Sequence, residues 1–215
     1  MDLVDLTHPI TTGMPVYPGD PEVEIAPALS APADGVNVRA VHMGSQTGTH
    51  VDAPFHIDDG LPRLDELPLT RFLGRAVLLD ARDAAPRTPL GPERLPGGLG
   101  PGTVLLIATG WSRHWGTDGY PAHPYPSPEL AEAALAAGVR TVGLDTLSAD
   151  RTPPPGDADF SLDTHRVLLT AHAVIVENLT NLETLLDAGG EAEVSLFPMR
   201  LRDDGAPVRA VARVR

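Results

Sequence analysis

The chain has 215 residues, 42% of them hydrophobic and 21% charged, enough for one sizeable core and ordinary for a soluble globular enzyme. A formal charge of −13 argues against nucleic acid as a partner. There is no cysteine and all 16 basic residues are Arg, which excludes disulfides, thiolate chemistry, sulfur-ligated metal and Schiff-base lysines.

The opening segment, Met1-Asp-Leu-Val-Asp-Leu6, carries acids where a secretion signal carries bases. No apolar run reaches the roughly 18 residues that span a bilayer, so a cytoplasmic protein without membrane contact is expected. Strands are predicted over Leu3–Leu6, Glu22–Ala26, Val36–Met43, Ala76–Asp80, Val104–Ala108, Thr141–Leu144 and Ala173–Val176. Proline- and glycine-rich stretches near Pro86–Gly102, Tyr120–Pro128 and Thr152–Gly156 read as loops between short elements. The clearest helix is Ser127–Ala137: Ser127 caps it, Pro128 suits its first turn, Glu129 complements the dipole and Gly138 ends it. Shorter helices are predicted over Leu162–Thr170 and Leu182–Ala188. Glu193–Leu201 and Val208–Val214 read as a closing strand pair across the turn Asp203-Asp204-Gly205. Interspersed strands and helices give a mixed α/β fold, one domain over residues 1–215.

The segment Gln46-Thr-Gly-Thr-His50-Val-Asp52-Ala-Pro54-Phe-His56 carries the chemistry. If it is extended, His50 and Asp52 project to one face about 7 Å apart at Cα, within reach of one Zn²⁺ or Mn²⁺. Pro54 interrupts pairing and lets the chain bend, which brings His56 back toward the same site. An isolated H-x-D is more often part of a polar surface loop than a metal site. Further along, His165 and Glu177 flank the apolar runs Val167-Leu-Leu169 and Ala173-Val-Ile-Val176. A helix carrying His165 and a buried strand ending at Glu177 would be joined by a short turn. A carboxylate at the end of such a strand is costly to bury unless it is paired or metal-bound. Either residue alone also fits a salt bridge or a helix cap. His8, His42, His114, His123 and His172 are read as structural.

Other catalytic patterns are absent. Gly44-Ser45-Gln46-Thr47-Gly48 places its serine one position too early for a nucleophile elbow, and Gly97–Gly102 lacks the spacing of a dinucleotide loop.

The residues resemble the metal-dependent cyclase family, which includes bacterial kynurenine formamidases, isatin hydrolases and some polyketide cyclases. Its signature H-x-G-T-H-x-D-x-P-x-H is matched by residues 46–56 at every position but the first. The likeness extends over nearly the whole chain. It takes in Asp5-Leu-Thr-His-Pro-Ile10, Gly13–Asp20, Val142-Gly-Leu-Asp145-Thr-Leu-Ser148-Ala-Asp150, His165 through Leu182, and Phe197-Pro-Met with Gly205-Ala-Pro-Val-Arg209-Ala. The resemblance implies a strongly curved sheet of the swivelling β/β/α type, assembled as a homodimer or larger oligomer with segments exchanged between subunits. It implies that His50, Asp52, His165 and Glu177 bind one or two Zn or Mn ions, with His56 as the catalytic proton shuttle.

The departure is Gln46, a weaker, neutral oxygen donor where the family carries His, and so a weak or altered ligand. The chemistry implied is hydrolysis of an amide, formamide (N-formylkynurenine-like) or lactam in a small molecule, by hydroxide generated at the metal. Polyketide-type cyclisation or dehydration at the same acid/base site is the alternative within the family, and a non-catalytic binding protein is the alternative outside it. Tyr17, Phe55 and Trp111 are candidates for an aromatic substrate pocket.

Overall fold

A computed structural model describes residues 2–154, 156–157 and 160–214. Its strands are β1 (Asp2–Asp5), β2 (Glu24–Leu29), β3 (Val38–His42), β4 (His50–Asp52), β5 (Leu73–Asp80), β6 (Pro89–Leu90), β7 (Thr103–Ala108), β8 (Tyr125–Pro126), β9 (Thr141–Leu144), β10 (Val174–Glu177), β11 (Ala192–Ser195), β12 (Gly205–Pro207) and β13 (Val211–Val214). The α-helices are α1 (Ala31–Asp34), α2 (Pro128–Ala136), α3 (Asp163–Thr170) and α4 (Leu182–Asp187).

Nine strands form one mixed sheet in the order β1-β13-β11-β5-β7-β9-β10-β4-β12. The centre, β5-β7-β9-β10, is parallel, and the flanks are antiparallel. Every residue of Thr103–Ala108 is buried because the parallel centre is covered on both faces. Val104, Leu106 and Ala108 join Val51, Val174, Val176, Ala206 and α4 in one core, while Leu105 and Ile107 join Ile175, α2 and α3 in the other.

The sheet is strongly curled. Val208-Arg209-Ala210 carries the chain from β12, at one edge, to β13, next to the other. Leu6 N–H donates to Ala210 C=O at 2.9 Å and Thr180 N–H to Leu6 C=O at 3.0 Å, so the chain leaving the β1 edge is bonded to the approach to β13 and to the exit of β10. Ser127 caps α2 as expected, its hydroxyl accepting from Leu130 N–H.

Two sequence expectations change in detail. The second strand begins at Glu24, because Val23 C=O is taken by Gly13 N–H. The closing pair keeps one register from Ala192↔Val214 through Ser195↔Val211 to an isolated bridge at Pro198↔Val208. Its regular strand stops at Ser195 and the pairing resumes only at the Pro198 bridge, while Gly205–Pro207 turns away to pair with β4. Among the described residues no helix is long and apolar enough to cross a membrane.

Candidate active site

β4 and β10 run antiparallel with His50 opposite Glu177 and Asp52 opposite Ile175, so all four side chains project to one face. Ile175 belongs to the core under α3, and that helix brings His165 over the same face. The result is a closed figure of two imidazoles and two carboxylates. His50 Nε2 lies 3.3 Å from Asp52 Oδ1 and 3.6 Å from Glu177 Oε2. His165 Nε2 lies 3.3 Å from Glu177 Oε1 and 3.7 Å from Asp52 Oδ2. All four residues are buried. His50, Asp52 and Glu177 each offer a ligand atom within 4.8 Å of the others.

The other ring nitrogens are already committed. His50 Nδ1 donates to Gly48 C=O at 2.8 Å, and His165 Nδ1 donates to Asp150 Oδ2 at 2.6 Å. Asp150 also accepts from the backbone N–H groups of Thr164 and His165, which seats it at the N-terminus of α3. Gly48 sits at φ +62, and a Cβ there would meet Met14 Cε at 2.9 Å, so the carbonyl that holds His50 depends on glycine. The same carbonyl accepts from Asn178 Nδ2 at 3.0 Å, and Tyr120 O–H donates to Asn178 Oδ1 at 2.8 Å.

Both Nε2 atoms are therefore aimed at carboxylate oxygens. Neither oxygen of Asp52 has a hydrogen-bond partner, although both are buried. Buried carboxylates in that state need a cation between them and the imidazoles, either protons or a metal. Burial alone would push His50 down, but Asp52 and Glu177 hold it up at about 9. Asp52, which burial would push up, is held well below the carboxylate range by His50 and His165. Two imidazole nitrogens and two carboxylates are a donor set that could hold a metal ion.

His56 follows on a 3-10 turn, Pro54–His56, that brings its ring to 5.9 Å from that of His165. Its Nδ1 lies 3.2 Å from Asp204 Oδ2. Burial would lower the His56 pKa, yet the Asp204 carboxylate leaves it raised.

A cavity of about 570 Å³ opens over these groups, lined by Tyr17, Asp20, Gln46 and Leu147, with Phe160 at 56% exposure. Phe55 and Trp111 are not on its wall. Phe55 packs under the Arg63 guanidinium, 4.3 Å from its ring centroid, and borders a separate groove with Met199 and Leu201. Trp111 is core: it is 5% exposed, packs on Tyr120 and Leu147, and donates from Nε1 to Tyr120 C=O.

Asp150, Asn178 and Asp204 were not singled out by sequence reasoning. Each acts through a residue distant in the chain, so no local spacing marks it.

The cyclase family model matches residues 4–151. The chain is 34% identical over 218 residues to a kynurenine formamidase of Bordetella petrii, covering 98% of this chain and 97% of that protein. It is 35% identical over 216 residues to the kynurenine formamidase of Bordetella avium, with the same coverage. Its fold is similar to isatin hydrolase A of Labrenzia aggregata, solved with benzyl benzoate, at a TM-score of 0.86 and 23% identity over 98% of this chain and 93% of that one. With a family match over most of its length and relatives of this identity along nearly all of it, the chain is a hydrolytic enzyme and belongs to the cyclase family.

Proposed function

We propose that this enzyme hydrolyses an amide-type C–N bond in a small molecule, either a formamide of the N-formylkynurenine type or a lactam, with Zn²⁺ or Mn²⁺ as cofactor. His50, Asp52, His165 and Glu177 hold one or two ions. The observation that carries this reading is the buried figure of two imidazole Nε2 atoms facing two carboxylates, with neither oxygen of Asp52 hydrogen-bonded. The relatives named kynurenine formamidase support the choice of bond.

When bound, the ion supplies Lewis acidity toward the carbonyl oxygen and acidifies water at the site. The chain supplies the rest. Gly48 C=O and Asp150 keep both imidazoles in the tautomer that leaves Nε2 free for the ion. His56 removes a proton from the attacking water, whose oxygen bonds to the carbonyl carbon. It returns that proton to the nitrogen as the C–N bond breaks. Tyr17, Leu147 and Phe160 line the cavity and offer apolar surface to a ring attached to that nitrogen.

We also place the enzyme in the cytoplasm as a homodimer or larger oligomer. The β2–β3 hairpin supports the assembly: it stands apart from the nine-stranded sheet with Leu29, Val36, Val38 and Val41 exposed.

The test is elemental analysis of untagged protein purified without chelators, followed by assay on formanilides and lactams. One or two equivalents of Zn or Mn and turnover of either class are expected. Protein that takes up neither metal, or that binds metal and cleaves neither class, contradicts the reading.

A further inference from the structure

Gln46 stands where the family signature begins with His, yet its side chain is engaged elsewhere. The amide lies over Gly205, where an added Cβ would come within 2.8 Å of both Nε2 and Oε1. Gln46 Nε2 donates to Asp204 Oδ2 at 2.7 Å. That contact fixes which end of the amide is nitrogen, since an oxygen there would face a carboxylate oxygen. Asp204 Oδ2 is also 3.2 Å from His56 Nδ1, and Gln46 Nε2 is 3.0 Å from that same nitrogen. A carboxylate is a stronger acceptor than an imidazole nitrogen, so Asp204 Oδ2 gathers both donors and His56 Nδ1 carries the proton, which makes the 3.0 Å Gln46–His56 contact two donors meeting at one shared oxygen and not a hydrogen bond between them. Nε2, across the ring, is then bare.

We propose that Gln46 is a positioning residue for His56 and not a metal ligand. Its carboxamide pins Asp204, and the pair holds the His56 ring as the Nδ1–H tautomer with Nε2 free to accept a proton. An unrestrained neutral imidazole favours the opposite tautomer, so the arrangement has to be imposed. In the hydrolase reading, on which the rate consequence rests, the chain gives up an imidazole ligand and gains a fixed base. The ligand set is then His50, Asp52, His165 and Glu177. Gln46 Oε1 is buried without a partner and is the atom a ligand role would use, so the two roles make opposite forecasts for metal binding.

The test compares wild type, Gln46→Ala and Asp204→Asn, labelled with ¹⁵N-histidine. Ring ¹⁵N–¹H correlation spectra are recorded on metal-free protein where His56 is neutral, and each protein is then titrated with Zn²⁺ against a competing chelator. Wild-type His56 should be the Nδ1–H form, and both variants should shift toward Nε2–H. Zn²⁺ affinity should stay within about threefold, well short of the roughly 10- to 100-fold loss that follows damage to a metal's supporting shell. On a formanilide, kcat should fall roughly 10- to 100-fold with KM little changed, part of the full effect of losing a general base. A tenfold or greater loss of Zn²⁺ affinity in Gln46→Ala with an unmoved His56 tautomer makes Gln46 a ligand and overturns the proposal. Variants that change neither quantity overturn it as well. If Gln46→Ala does not fold, Asp204→Asn carries the tautomer arm. Gln46→Glu then carries the metal arm, because a carboxylate at a true ligand position tightens Zn²⁺ binding and here should not. A wild-type protein that cleaves no amide would defeat the hydrolase reading while leaving the spectra and titrations to decide on Gln46.

Discussion

The two imidazoles at the floor of the site differ in what holds their Nδ1 atoms. His50 leans on a backbone carbonyl, and His165 on the Asp150 carboxylate, itself anchored by the first amides of α3. A carboxylate partner raises the basicity of a ligating imidazole and fixes its direction. Asp150→Asn should therefore weaken Zn²⁺ binding roughly 10- to 100-fold in a chelator competition, although Asp150 lies outside the proposed ligand set. His56→Ala should do the reverse, keeping the metal and losing on the order of 10²–10⁴ in kcat. A large metal loss in His56→Ala would move that residue into the ligand set. The alternation of side chains along a strand puts His50 and Asp52 on one face from the sequence alone. The same reasoning had no access to Asp150, because its partner, His165, lies fifteen residues on and across a loop.

At the scale of elements, the site exists because a parallel strand and an antiparallel one meet edge to edge: β9 and β10 run together, and β4 lies against β10. Gly143 on β9 makes that junction tight, since a Cβ there would stand 2.8 Å from Leu106 Cδ2 and from Leu179 Cδ1. Gly143→Val should overpack the core and lower stability by about 1–3 kcal/mol, read as a shift in the denaturation midpoint at unchanged slope. The β2–β3 hairpin makes a different forecast. Val38 and Val41 are 44% and 54% exposed, on a ribbon whose two strands pair with each other and with no strand of the large sheet among the described residues. Val38→Asp with Val41→Asp should convert a dimer to a monomer in light scattering without loss of helix or sheet content. A wild-type monomer would remove the assembly proposal. Most of these strands were legible as short apolar, β-branched runs between turn residues. The interruption after Ser195 and the diversion of Gly205–Pro207 to β4 were not, because strand partners are set by curling of the whole sheet and not by local pattern.

At the scale of the molecule, the formal charge of −13 and a floor of buried acids make stability depend on what cation is present. A metal that binds only the folded chain stabilises it by about 4 kcal/mol at a thousandfold excess over Kd, so a chelator should lower Tm by several degrees and added Zn²⁺ or Mn²⁺ should restore it.

Acid should act through a second buried group, His123, which closes the loop beside the cavity. Its Nδ1 donates to Pro124 C=O and its Nε2 accepts from Thr152, a cavity-lining residue, so the neutral ring is fully satisfied. Burial holds its pKa down at about 4. The folded state thus prefers the neutral ring, whereas the unfolded chain takes up a proton near its ordinary value of 6.5. The contribution is fully present above pH 6.5 and is lost as pH falls toward about 4, at roughly 1.4 kcal/mol per unit. Carboxylates such as Asp52 and Asp204, held below their usual range, also lose stability in acid, so the wild-type curve alone does not isolate His123. A difference between two proteins does. His123→Gln can make the same two hydrogen bonds without titrating. It should be modestly less stable than wild type at pH 7.5, and the gap should close or reverse by about 3 kcal/mol at pH 4.5 in urea denaturation. A gap that stays constant over that range would mean His123 does not titrate between the folded and unfolded states, and that the acid lability of the cavity rim lies with its carboxylates.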